Sequence, residues 1–121
     1  MTVKTKSTNV YLVATVKKLK KLASEKNANI WKTVAEFLER PKRKRIAVNV
    51  SKINRYTKEG ETVIVPGKVL GTGEIDHKVN VAAFSFSSTA IEKIKKAGGT
   101  VMSIDELINI NPKGSNIRII I

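Results

Sequence analysis

Apolar residues recur at helical steps near the start of this chain and alternate in short runs further on. Leu12, Val16, Leu19 and Ala23 fall three and four residues apart, which places them on one stripe of a helix running from Thr8 to about Lys26. Lys17, Lys18 and Lys21 lie on the opposite half of that helix, with Lys20 at the border and Glu25 the one acidic side chain nearby. A second helix is predicted from Asn29, a residue type that caps helix N-termini, to Arg40 just before Pro41. Ile30, Trp31, Val34, Phe37 and Leu38 share one side of it, and Lys32, Glu36 and Glu39 the other. That stripe makes Trp31 a core residue rather than a platform for a base.

Strand patterns follow. Ile46 to Val50 alternates β-branched and small residues. Ser51 to Gly60 is polar and basic, with Lys52, Arg55 and Lys58 at roughly helical spacing. Two strands are predicted at Thr62–Val65 and Lys68–Leu70, interrupted by Pro66-Gly67, then a tight turn at Gly71-Thr72-Gly73 and a strand from Val79 to Phe84. Ser87 or Ser88 can cap a helix through Ala97, with Ile91 and Ile94 inward and Gly98-Gly99 ending it. A short strand at Thr100–Met102 leads to Ser103-Ile104-Asp105-Glu106, a capping box opening a final short helix. Asn111-Pro112-Lys113-Gly114 turns the chain into a closing strand, Ile117–Ile121. The fold class expected is mixed α/β, two basic helices and then short strands and helices in alternation. No repeat, low-complexity segment or linker divides residues 1–121, so one domain is expected.

Composition narrows the classes. The 121 residues can bury one modest core, and 41% apolar content is too high for a disordered tail. No apolar run is long enough to span a membrane, and Met1 to Asn9 lacks the apolar stretch of a signal peptide. With no cysteine there are no disulfides or thiolate ligands, which leaves a metal or redox role little support. A cytoplasmic protein fits.

Charge changes the picture most. The net charge is +13, and it is uneven: residues 1–60 hold 16 basic and 4 acidic side chains, residues 61–121 hold 7 and 6. Such an imbalance repels itself and calls for a polyanion. The cations are spread over several elements rather than one amphipathic anchor, which favours nucleic acid over a membrane surface. The densest cluster is Arg40-Pro41-Lys42-Arg43-Lys44-Arg45, five cations around a helix-ending proline. Cations on phosphates release counterions, and arginine adds bidentate and stacking geometry that lysine lacks.

Other chemistry fares poorly. Gly67-Lys68-Val69-Leu70-Gly71-Thr72-Gly73 looks at first like a phosphate loop, but no Gly-Lys-Ser/Thr closes it and no third glycine or helix start follows Gly73. It reads as a turn where backbone must approach a neighbour closely, either this chain or RNA. Glu74, Asp76 and His77 share one polar loop, and neither a full ligand set nor a supported nucleophile accompanies them. Ser85, Ser87 and Ser88 read as capping and turn residues. No catalysis and no cofactor are expected.

Taken in order, these residues resemble a known family. Val65-Pro66-Gly67-Lys68-Val69-Leu70-Gly71-Thr72-Gly73 is similar to the signature loop of archaeal and eukaryotic large-subunit ribosomal protein eighteen. Ile30-Trp31, the Arg40-Pro41 break with its basic run, Val81-Ala82-Ala83-Phe84-Ser85, Ala90 to Lys96, Ala97-Gly98-Gly99 and Asn111 to Asn116 also look like that family, in the same order. Through the glycine loop and the Ala-Gly-Gly helix end the family is related to bacterial large-subunit ribosomal protein fifteen. The resemblance implies an irregular β-β-α superhelix, a place in the large subunit, direct binding to its ribosomal RNA and no catalysis. It carries an RNA-facing role onto Gly67, Lys68, Gly71 and Gly73, and onto Arg40, Lys42, Arg43, Lys44 and Arg45. The extra segments of eukaryotic members are missing, which points to an archaeal source; the glycine- and arginine-rich extension of the bacterial relative is missing too, so its contacts are not carried over.

The expected mechanism is scaffolding. Lys17, Lys18, Lys21, the 40–45 cluster, Lys52, Arg55 and Lys58 face outward and neutralise phosphates where RNA helices meet, reading shape and backbone. The nearly neutral second half would face protein neighbours or solvent. The partners expected are large-subunit ribosomal RNA and neighbouring ribosomal proteins, with no membrane and no small-molecule substrate. Two alternatives share some of these features: a free-standing chromatin or RNA-chaperone protein, and, more distantly, a small nucleotide-using enzyme.

Overall fold

Val63, Ile64 and Val65 are buried at successive positions, and so are Val81, Ala82 and Ala83. Successive strand residues point to opposite faces, so both faces of the sheet that holds them must be covered. The computed structural model describes residues 10–40 and 46–121, and within them the sheet has five strands. They are β1 (Ile46–Asn49), β2 (Thr62–Leu70), β3 (Asn80–Phe86), β4 (Thr100–Ser103) and β5 (Ile117–Ile119). Every pairing is parallel. β2 pairs with β3 along one edge; its other edge is shared, β5 lying beside Thr62–Ile64 and β1 beside Gly67–Leu70.

Helices cover the two faces. On one side, α3 (Val50–Tyr56) and α4 (Ser88–Lys96) bring Val50, Ile53, Ala90 and Ile94 against Val63, Val65, Val69, Val81 and Ala83. On the other, α1 (Val10–Lys26), α2 (Asn29–Leu38) and α5 (Ile104–Ile110) pack on Ile64 and Ala82. Leu12, Val16 and Leu19 of α1 and Trp31, Val34 and Leu38 of α2 are buried there, as their spacing predicts. Trp31 is fully buried, and its indole N–H donates to the Pro112 carbonyl at 2.7 Å. The α/β class expected from the sequence is what forms, as helices layered on both faces of one parallel sheet.

Several boundaries depart from expectation, β3 among them, which runs Asn80–Phe86 rather than Val79–Phe84. Asn29 is not the cap of α2; Ala28 takes the extended cap conformation without a side-chain bond, and α2 ends at Leu38 rather than Arg40. The asparagine that acts is Asn27, which reverses the chain after α1 at φ +51°. Val50 leaves β1 to open α3, shortening the predicted strand by one residue. Thr62–Leu70 is one strand instead of two, because Pro66-Gly67 forms a bulge: the register with β3 steps from Val65↔Ala83 to Lys68↔Ser85, three residues against two. A proline can sit there because the bulge interrupts the ladder that would need its missing N–H. The closing strand stops at Ile119.

The serine and glycine capping signals hold. Ser87 Oγ accepts from the Ala90 N–H at 3.2 Å, and Ser103 and Glu106 exchange hydrogen bonds of 3.0 and 2.7 Å in a full capping box. The Gly99 N–H closes α4 on the Ile94 carbonyl at 2.9 Å, across Gly98 at φ +88°.

Candidate nucleic-acid interface

Lys17, Lys18 and Lys21 are exposed on the solvent half of α1, because the stripe through Leu12, Val16 and Leu19 fixes which side turns inward. Lys18 lies 3.6 Å from Asp105 of α5, and Lys21 lies 4.0 Å from Glu25 one turn on. Exposed pairs of this kind hold side chains loosely, at about 0.2–1 kcal/mol, so the ammonium groups stay available to stronger anions. Lys20, by contrast, reaches 2.9 Å to Glu39 and ties α1 to the end of α2.

A second group of cations stands on α3 and just beyond it. Lys52 and Arg55 lie on the side of the helix opposite Val50 and Ile53, and Lys58 is exposed in the following loop. Lys52 donates to the Ile121 carbonyl at 2.6 Å and is half-buried, which commits it in part to the fold. The Arg55 guanidinium lies 5.4 Å from the centre of the Tyr56 ring. Hydrophobic periodicity does not single out Tyr56; the signal that marks it is an aromatic residue within a basic stretch.

The structure does not gather these cations into one patch. α1 covers one face of the sheet and α3 the other, so the two groups are separated by the thickness of the sheet. Arg40 is exposed after α2, with its guanidinium 4.4 Å over the Phe37 ring. Lys42, Arg43, Lys44 and Arg45 lie outside the described residues.

The glycine loop divides differently. Lys68 is exposed on β2. Gly67 is buried, and a Cβ there would sit 2.1 Å from the Ile46 carbonyl oxygen of the neighbouring strand. At Gly71 it would meet Thr89 of α4 at 2.6 Å, and at Gly73, φ +91°, Ser51 of α3 at 2.3 Å. Of the two neighbours considered for this loop, the chain itself accounts for the missing side chains. Lys93 of α4 donates to the Gly71 and Gly73 carbonyls at 2.8 and 2.6 Å, so a cation of the fold occupies the loop's mouth.

His77 serves the loop that carries it. Its Nε2 lies 2.8 Å from Thr57 Oγ1, which itself donates to the Ile53 carbonyl, and Nδ1 lies 3.1 Å from Asp76. Glu61 accepts from the Lys58 N–H at 2.8 Å and lies 3.5 Å from Arg118. That amide bond first, and then the Arg118 guanidinium, hold the Glu61 carboxyl below its usual pKa. Among the described residues no three His, Cys, Asp or Glu side chains group as a metal site, and no helix is long and apolar enough to cross a membrane.

Comparison with known proteins identifies the family. Residues 2–121 match the family described as ribosomal protein 60S L18 and 50S L18e. The chain is 52% identical to large ribosomal subunit protein eL18 of Methanothermobacter thermautotrophicus, over 93% of each chain. It is 48% identical to the protein of that name from Methanoregula boonei over 99% of each, and 50% identical to that of Methanococcus maripaludis over 93% of this chain and 94% of the relative. With the glycine loop, the Trp31 helix and the basic break all inside the matched span, the chain belongs to the family of ribosomal proteins 60S L18 and 50S L18e.

Proposed function

We propose that this chain is a structural constituent of the large ribosomal subunit, in the cytoplasm, where it binds and scaffolds large-subunit ribosomal RNA. The observation that carries the reading is the placement of the described cations of α1 and α3 on opposite sides of the sheet in a member of a ribosomal family. Exposed ammonium and guanidinium groups on opposite faces of one sheet engage separate stretches of RNA, and neutralising both lets those stretches approach each other. Recognition is of shape and backbone, because RNA duplexes keep their base edges from side chains. Residues 1–60 form the RNA-facing part of one ribosomal-protein domain, and the nearly neutral 61–121 supply most of the sheet and a surface for ribosomal protein neighbours.

Within the RNA-facing set, Lys17, Lys18, Lys21, Arg40, Lys42, Arg43, Lys44, Arg45, Arg55, Lys58 and Lys68 are the cations assigned to phosphate. Lys52 contributes less because it is shared with the chain end. Gly67, Gly71 and Gly73 act by letting β2 and its loop pack closely, which positions Lys68. An enzymatic role has little to stand on: Lys93 is committed to the Gly71 and Gly73 carbonyls, Gly67 packs against the Ile46 carbonyl, and His77 is hydrogen-bonded to Thr57.

Sedimentation of source-cell lysate through sucrose at moderate and then high salt tests the proposal. The chain is expected to travel with the large subunit and to be released only by strong salt. A chain that stays at the top of the gradient even at low salt would favour a free-standing nucleic-acid binder.

A further inference from the structure

Tyr56 is 55% exposed at the end of α3. The inner side of that helix, Val50 and Ile53, is fully buried, and the ring lies outside the core cluster they join. An aromatic residue left in water at a helix end forgoes the large burial gain that such side chains bring to a core. Its surroundings are cationic. Lys52 lies one turn before it on the same outward side, Arg55 holds its guanidinium 5.4 Å from the ring centre, and Lys58 is exposed two residues on. Of the acidic side chains near this segment, Glu59 is exposed, Glu61 is held by the Lys58 N–H and Arg118, and Asp76 lies against His77.

We infer that Tyr56 and Arg55 form a stacking platform for an unpaired RNA base, with Lys58 on a flanking phosphate; this rests on the RNA-binding reading above. A tyrosine ring offers its face to any base, and a guanidinium plane beside it extends the platform. Duplex RNA keeps its bases stacked inside, so the ligand is a nucleotide splayed from a loop, bulge or junction. A protein neighbour could also cover a tyrosine, but a ring surrounded by cations is matched better by a phosphate-bearing base than by an apolar protein surface. The inference adds one point of base contact to an interface otherwise built on phosphates.

The test titrates the full chain into two labelled RNAs by fluorescence anisotropy, a short oligoadenylate and a fully paired duplex. Tyr56→Ala is expected to weaken oligoadenylate binding by roughly tenfold and duplex binding by less than about twofold, while Tyr56→Phe keeps the native affinity for both. Thermal melting of each variant checks that the fold is retained. Equal losses on the two probes, equal losses in the Ala and Phe variants, or no loss at all would overturn the inference, the last making a protein neighbour the occupant of the ring. If the native chain bound neither probe, the RNA-binding reading would fall with it; if it bound both without regard to Tyr56, only the platform would.

Discussion

Lys93 and Lys17 are the same residue type on helices of one small protein, yet they sit in opposite circumstances. Lys93, in the nearly neutral second half, is half-buried and spends its ammonium on two loop carbonyls. Lys17, in the strongly basic first half, projects from α1 into solvent. Lys18 and Lys21, beside it in the first half, meet acids only at 3.6 and 4.0 Å on the surface. Charge in residues 61–121 is nearly balanced, and charge in residues 1–60 exceeds what the fold can use. The excess is what a polyanion would neutralise.

Packing sets the scale for the charge effects. Trp31→Ala empties a fully buried indole site and leaves the Pro112 carbonyl without its donor, with an expected loss of about 3–5 kcal/mol in denaturant unfolding. Gly67→Ala drives a methyl against the Ile46 carbonyl on the adjacent strand, and an expected cost of about 1–3 kcal/mol or more follows because backbone must move. A Gly67→Ala chain of native stability would mean that β1 is not held against β2 as described.

The next test sharpens the contrast itself. Lys93→Ala is expected to lose about 1.5–3 kcal/mol of stability, since two carbonyls give up a charged donor, with the salt dependence of RNA binding unchanged. Replacing Lys17, Lys18 and Lys21 together by alanine is expected to do the reverse. Stability changes by no more than about 0.5 kcal/mol per site, and the slope of log affinity against log salt falls by about one for each phosphate that is no longer neutralised. If both sets moved the same observable, the division of labour between the halves would collapse.

The smallest effect is on the acid side. The Glu61 carboxyl has a lowered pKa in the folded chain, so its contribution is present above the carboxylate's unfolded pKa and is lost as pH falls through the folded value. Comparing native and Glu61→Gln chains by denaturant unfolding at neutral and acid pH should show the native advantage shrinking on acidification. An advantage that grew toward acid would reverse the assigned sign.

Much of this is legible in the residues. Three- and four-residue spacing names the buried sides of α1 and α2, and Ser87, Ser103 and Glu106 mark two helix starts through hydrogen bonds that are local in sequence. The misses are tertiary. Pro66-Gly67 looks like a break because nothing local shows that β3 accommodates an extra residue opposite it. Asn29 looks like an N-cap in isolation, but after the left-handed turn at Asn27 that ends α1 the cap position falls on Ala28. The glycine loop announces close approach, but only the placement of Ile46, Thr89 and Ser51 identifies the neighbour as the chain itself. Nor does one-dimensional pattern reveal that the cations of α1 and α3 end on opposite faces of the sheet.

The most direct test of the central claim is the salt dependence of binding between the full chain and large-subunit ribosomal RNA. With about 8 phosphates neutralised, log affinity should fall against log salt with a slope near −7 on duplex sites, and affinity should drop by orders of magnitude over a fourfold rise in salt. A slope close to zero, with binding otherwise intact, would contradict the assignment of the cations of residues 1–60 to RNA phosphates.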